Sequence, residues 1–148
     1  MSFKALGLAP YILRSIVKQE YKLPTPIQEQ AIPVILQGKD VLGIAPTGSG
    51  KTAAYALPII QNLEGKTTTK NRHINVLVLV PTRELAIQVE EVFRSFTQEL
   101  PFRLKSMAVH GGVSINPQMM GMQHLNILVA TPGRLLELKE SNAMHFES

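Results

Sequence analysis

Apolar residues fall along this chain in two kinds of run. The runs at 41–44, 76–80, 104–109 and 126–130 are short, continuous and rich in Val, Ile and Leu. That is the pattern of strands buried on both faces of a parallel sheet. Between them lie mixed stretches long enough to hold helices, and two more helices precede the first run. One covers 10–19; the other covers 25–36, where Thr25 suits an N-cap, Pro26 the first helical position and Gly38 the stop. Strands of this kind alternating with helices predict an α/β domain whose mostly parallel sheet is built from right-handed βαβ units. The stretch 64–73 has no apolar period, is net basic and reads as a surface connection. Met119, Met120 and Met122 are expected to fill core from a short helix.

One strand-to-helix turn carries a recognisable chemistry. After Val41-Leu42-Gly43-Ile44 come Ala45, Pro46, Thr47, Gly48, Ser49, Gly50, Lys51 and Thr52, and then the helix-prone 53–57. In such a loop the backbone N–H groups turn onto a polyphosphate, Lys51 reaches the outer phosphates and the Thr52 hydroxyl holds Mg²⁺. Ala45 stands where the general pattern has glycine. The bland alternative is a glycine turn with Lys51 and Thr52 in solvent; the flanking strand and helix favour the phosphate site.

Two further junctions are built alike: the run at 76–80 enters Pro81, Thr82 and Arg83, and the run at 126–130 enters Thr131, Pro132, Gly133 and Arg134. In an open parallel sheet such junctions share the carboxyl edge, where ligands bind. Three anion-friendly helix starts are therefore expected on one edge, with Gly111-Gly112 a fourth place of bare backbone. Taken alone, Thr131-Pro132 equally reads as a helix cap with Arg134 solvating its face, Arg83 as a surface charge, and the glycine pair as a tight turn. The residues alone leave both readings open.

At 148 residues, 45% hydrophobic and 18% charged, the chain fits one globular domain and is not a disordered tail. It has no cysteine, so a disulfide framework and thiolate metal sites are excluded. No secretory leader and no membrane-length apolar window is present, so a soluble, cytoplasmic protein with no membrane partner is expected. Fifteen Lys and Arg against eleven Asp and Glu give +4, which suits a polyanionic partner without requiring one. The histidines at 73, 110, 124 and 145 show no metal-ligand spacing.

In their order, these motifs resemble the first RecA-like domain of DEAD-box RNA helicases over essentially the whole chain. Phe3 and Tyr21-Lys22-Leu23-Pro24-Thr25-Pro26-Ile27-Gln28 are similar to the family's Q motif, 45–52 to motif I, 81–86 to motif Ia, Gly111-Gly112 to the GG element, and 131–134 to motif Ib. The stretches 112–120 and 129–138 are similar to the bacterial RhlE-like branch.

The resemblance implies a P-loop NTPase fold, a RecA-like three-layer α/β/α arrangement incomplete at its C-terminal end, with 1–38 as the Q-motif helical region and 39–148 as the P-loop core. It implies ATP or ADP with Mg²⁺ at 45–52, with Lys51 and Thr52 serving catalysis and Ala45 a family feature. It implies Gln28 on adenine, Tyr21 stacking on the base and Phe3 packing the segment. A carboxamide offers one donor and one acceptor, the complement of adenine's N7 and N6 amino group. RNA backbone is implied at Pro81, Thr82, Arg83, Gly111, Gly112, Thr131, Pro132, Gly133 and Arg134. The parent protein is expected to couple RNA-stimulated ATP hydrolysis to duplex unwinding, together with a second RecA-like domain.

Two departures stand out. Glu20 occupies a position where the family usually has glycine, and no Asp-Glu-Ala-Asp occurs up to Ser148. The 148 residues are therefore expected to bind nucleotide without hydrolysing it, and to be marginally stable or to self-associate.

Overall fold

The computed structural model describes residues 1–66 and 73–141. Most of the predicted connection at 64–73 lies outside the described residues, as does His145. In chain order there follow a 3₁₀ turn (Phe3–Leu6), helices α1 (Pro10–Lys18), α2 (Pro26–Leu36) and α3 (Lys51–Asn62), strand β1 (Val76–Leu79), helix α4 (Arg83–Thr97), strand β2 (Ser106–Val109), helix α5 (Ile115–Met120), strand β3 (Ile127–Ala130) and helix α6 (Pro132–Glu140). They form two compact units, Met1–Gly65 with Ser95–Arg103 and Lys66–Arg94 with Leu104–Ser148.

The first unit is helical. Helix α2 starts as its sequence predicts, with Thr25 in the extended region, Pro26 opening the helix and Gly38 left-handed (φ 78°) beyond its end. It packs along α3, and Ala31, Ile32, Ala56, Leu57 and Ile60 are buried. Polar side chains at the end of α3 tie down the backbone of the N-terminal segment and of the end of α2. Gln61 Oε1 accepts from the Ala9 N–H at 2.7 Å, its Nε2 donates to the Gly7 carbonyl at 3.1 Å, and Asn62 Nδ2 donates to the Ile35 carbonyl at 3.0 Å.

The end of α1 shows what Glu20 does in place of glycine. The Glu20 N–H donates to the Val17 carbonyl at 3.0 Å and the Tyr21 N–H to the Ile16 carbonyl at 3.1 Å. This is the paired closure of a Schellman motif, whose turn residue is left-handed and usually glycine. Glu20 takes that conformation with φ 63°. The turn is kept and a Cβ is carried where glycine would be free of strain. Glu20→Gly is therefore expected to stabilise the protein by about 1 kcal/mol, read as a higher urea midpoint at unchanged slope. A midpoint equal to or below wild type would contradict the strain.

Among the described residues the sheet consists of β1, β3 and β2, and the predicted strand at 41–44 is not in it. A strand exists through a neighbour that takes its N–H and C=O groups, and none of these three pairs with it. Val41 and Gly43 line a cleft of about 210 Å³ with Ile27, Ala31 and Ile35 of α2, and the whole run is exposed, Leu42 and Ile44 at 89% and 87%. The apolar run thus lies beside α2 and stays open to solvent.

In the second unit β1, β3 and β2 lie in that order and all run parallel, Val76 pairing with Ile127 and Ser106 also with Ile127. The central strand β3 is fully buried, as a continuous apolar run predicts, while β1 and β2 are only partly covered. The core gathers Val109, Met122, Leu125, Leu128 and Leu138, with Met119 packed against it. Met120 departs from expectation at 78% exposed, because α5 turns only one face inward. Where the three strands begin, buried Asn126 joins them through its side chain, Oδ1 accepting from the Lys105 N–H at 2.9 Å and Nδ2 donating to Asn75 Oδ1 at 3.0 Å.

Candidate functional site

The loop at 45–50 is a turn closed by the Ser49 N–H on the Pro46 carbonyl at 3.2 Å. Gly48 (φ 83°) and Gly50 (φ 82°) are both left-handed, so these two positions need the absence of a Cβ. Gly50 is the N-cap of α3, which puts Lys51 and Thr52 in the first turn, where orphan N–H groups and the helix dipole favour an anion. Lys51 is exposed. The Thr52 side chain hydrogen-bonds to Tyr55, whose phenol is pushed up by burial and drawn partly back by that bond. The Ser49 hydroxyl is buried without a partner.

Gln28 is drawn into this loop. It is 2% exposed, its Oε1 accepts the Thr25 N–H at 3.0 Å and its Nε2 donates to the Gly50 carbonyl at 3.1 Å. That carbonyl also receives the first bond of α3, from the Ala54 N–H at 3.1 Å. A Cβ on Gly50 would lie 2.4 Å from Gln28 Nε2, so the contact itself demands glycine. One carboxamide thus caps α2 and holds the start of α3. The Thr-Pro-x-Gln spacing of a capping box is the sequence signal for the first role; nothing local signals the second.

The aromatic residues Phe3 and Tyr21 differ in exposure. Phe3 is buried at 4% exposure, whereas Tyr21 is 37% exposed. Tyr21 stands edge-on to Phe96 with ring centroids 5.4 Å apart and lies 6.5 Å from Phe3. Its open side lines a shallow depression with Val17, Glu20 and Lys22.

In the second unit three turns leave the carboxyl ends of three parallel strands. The ladder carries into them through the Val80 N–H on the Ala130 carbonyl at 3.0 Å and the Thr131 N–H on the Val109 carbonyl at 3.2 Å. The turns at 81–83, 110–112 and 131–133 therefore emerge together. The cradle at 45–50 does not follow a strand of this sheet, so of the three helix starts expected on one edge the sheet carries two, with the glycine pair beside them. Arg83 reaches across to the glycines: a Cβ on left-handed Gly112 would meet its Nη1 at 2.6 Å. Arg83 is exposed, with Glu84 3.7 Å away in a solvent-screened pair.

The hydroxyls of the two helix starts differ. Thr82 caps α4 by accepting the Leu85 N–H at 3.2 Å, which leaves its own proton free to donate. Thr131 stands in the N-cap position of α6 with no side-chain cap bond. Pro132 and Gly133 are exposed, and a Cβ on Gly133 would meet open space.

Arg134, which the resemblance puts on RNA backbone and which taken alone could have solvated the helix face, is not an exposed charge. It is 8% exposed, Nη1 donating to Gln118 Oε1 at 2.8 Å and Nη2 to the Val113 carbonyl at 3.0 Å. Gln118, which no motif marks, is buried with it. Among the described residues no three His, Asp or Glu gather in a way that could hold a metal ion, and no helix is long and apolar enough to cross a membrane.

Comparison with known proteins matches residues 25–147 to the family model of DEAD/DEAH box helicases. The chain is 43% identical over 148 residues to ATP-dependent RNA helicase dbp10 of Schizosaccharomyces pombe, covering 99% of this chain and 17% of that protein. It is 46% identical over 136 residues to ATP-dependent RNA helicase CshA of Limosilactobacillus reuteri, covering 91% of this chain and 26% of that protein. The crystal structure of a DEAD box protein from the hyperthermophile Methanococcus jannaschii superposes with a TM-score of 0.85 at 36% identity, over 98% of this chain and 38% of that one. The chain thus spans well under half the length of these relatives.

Proposed function

The chain belongs to the DEAD/DEAH box helicase family, and from that premise we propose that the full-length protein is a cytoplasmic ATP-dependent RNA helicase whose nucleotide and RNA-backbone sites begin in these residues. Residues 1–148 are then part of its N-terminal RecA-like domain, with 1–38 as the Q-motif region and 39–148 as the P-loop core, and a second RecA-like domain completes the machine. Residues 112–120 and 129–138 support a place near the RhlE-like branch.

The observation that carries the RNA reading is the meeting of exposed Arg83 with bare Gly112 at the carboxyl edge of the sheet. A guanidinium beside open backbone and the first turns of α4 and α6 suits a chain of phosphates read by shape, with no base contact implied. Pro81, Thr82, Gly111, Thr131, Pro132 and Gly133 complete that surface.

The residues at 45–52 fit a nucleotide with Mg²⁺. The glycine cradle has no room for a Cβ at Gly50, the buried Ser49 hydroxyl lacks a partner and Lys51 is exposed at the N-terminus of α3. Mg²⁺ bound with the nucleotide supplies a charge that polarises the phosphates. Lys51 neutralises phosphate oxygens, and Thr52 offers the metal its hydroxyl. Gln28 keeps one N–H and one lone pair beyond its bonds to Gly50 and Thr25, the pair that adenine's N7 and N6 amino group would complete and guanine's two acceptors would not. Tyr21 supplies a ring face for the base.

The 148 residues alone act as a binding module without turnover, and exposed Leu42 and Ile44 favour their self-association. Calorimetric titration with nucleotide, alongside a phosphate-release assay, tests the binding module. ADP is expected to bind with a Kd of roughly 10⁻⁶ to 10⁻³ M and GDP more weakly, with no phosphate released from ATP. Equal affinity for the two nucleotides, or steady turnover by the chain, would overturn the reading.

A further inference from the structure

The Gly111-Gly112 pair is held at both ends. Gln118 Nε2 donates to the His110 carbonyl at 3.3 Å, just before the glycines, and Arg134 Nη2 donates to the Val113 carbonyl at 3.0 Å, just after them. The two holders are themselves joined, Arg134 Nη1 to Gln118 Oε1 at 2.8 Å. Both side chains are buried, at 7% and 8% exposure, so the bond that joins them is shielded from water, and the arginine bonds are charge-assisted. The glycines between are exposed, and a Gly-Gly pair without such anchors explores a wide range of backbone conformations. The guanidinium, with Nε also 3.7 Å from the Glu137 carboxylate, is turned toward the protein on every edge the structure describes.

We infer that Arg134 and Gln118 are positioning residues that fix both ends of the Gly111-Gly112 turn, so that its backbone is presented beside Arg83 to RNA, and that Arg134 acts through this turn without touching phosphate. The inference rests on the RNA-binding reading of the three turns. It gives Gln118 a part in RNA binding equal to that of Arg134.

Affinity of the full-length protein for a fluorescent oligouridylate, measured across salt concentrations, separates positioning from contact. A side chain that neutralises one phosphate of a single strand adds about 0.7 to the slope of log affinity against log salt. Arg83→Met is expected to lower the slope by that amount. Arg134→Met and Gln118→Met are each expected to weaken binding about tenfold at unchanged slope. The double variant should bind no more weakly than the poorer single one, since both break one bracket. A lowered slope in Arg134→Met, or wild-type affinity in Gln118→Met, overturns the inference. If Arg134→Met does not fold, Gln118→Met decides alone.

Thermolysin cleavage at the Gly112–Val113 bond reads the bracket with no RNA present and is expected to rise in either variant. If the wild type binds no RNA, the RNA reading fails while this cleavage still tests the bracket. Unchanged cleavage overturns it.

Discussion

Replacing Lys51 by alanine is expected to reduce ATP hydrolysis by the full-length protein at least about 100-fold while leaving the fold intact. Lys51 sits exposed in the first turn of α3, directly after left-handed Gly50, so its loss removes no packing. On the proposed function, what disappears is a charge that faces the phosphates held by the helix N-terminus and the glycine loop, where charge would develop during phosphoryl transfer. A thermal melt within about 1 °C of wild type, alongside the lost activity, would separate the chemical role from a structural one. Retained hydrolysis would mean that the phosphates lie elsewhere.

The second large effect is expected at Gln28, where a substitution of equal size divides its two roles. Gln28→Glu keeps an oxygen for the Thr25 N–H, so α2 remains capped. It replaces the donor to the Gly50 carbonyl by an acceptor, setting two oxygens against each other at a place where 3.1 Å now separates donor from acceptor. The cost is about 2 kcal/mol of stability, that of a buried hydrogen bond turned repulsive, and the start of α3 loses its tie. Adenine also loses its donor, so ADP affinity should fall at least about tenfold and the preference for ADP over GDP should narrow. Urea denaturation and ADP titration read the two effects separately. If stability falls while nucleotide preference is kept, Gln28 is a structural strut and the base is read by other groups.

Much of this was open to reading from the residues in order. The start of α2 is local, written in Thr25, Pro26 and Gln28, and it forms as written. The run at 127–130 predicts a buried central strand and is one, because a neighbour on each side satisfies its backbone. The run at 41–44 has similar letters and no neighbour in the sheet, and apolar character cannot supply the hydrogen bonds of a strand. Glu20 shows the reverse case: a residue poorly suited to a left-handed turn is held there by the closure of α1, which local preference would not predict.

The candidate site was legible where its chemistry is local and opaque where it depends on distant partners. Gly48, Gly50 and Lys51 could be placed from the loop alone. Gln28 could be given a base to read, but not its bond to Gly50, 22 residues away in sequence. Arg134, expected on RNA backbone or else on a solvated helix face, is instead buried through Gln118 and Val113, partners that lie 16 and 21 residues before it and outside its own motif. Burial of a charge is decided by such partners, and a motif read alone does not contain them.

The most direct test of the account is the rate of ATP hydrolysis by the full-length protein with and without single-stranded RNA. The cradle at 45–52 and the three turns at the sheet edge predict a rate that rises when RNA is added and falls to background in Lys51→Ala. A rate indifferent to RNA, and undiminished when Lys51 is replaced, would contradict it.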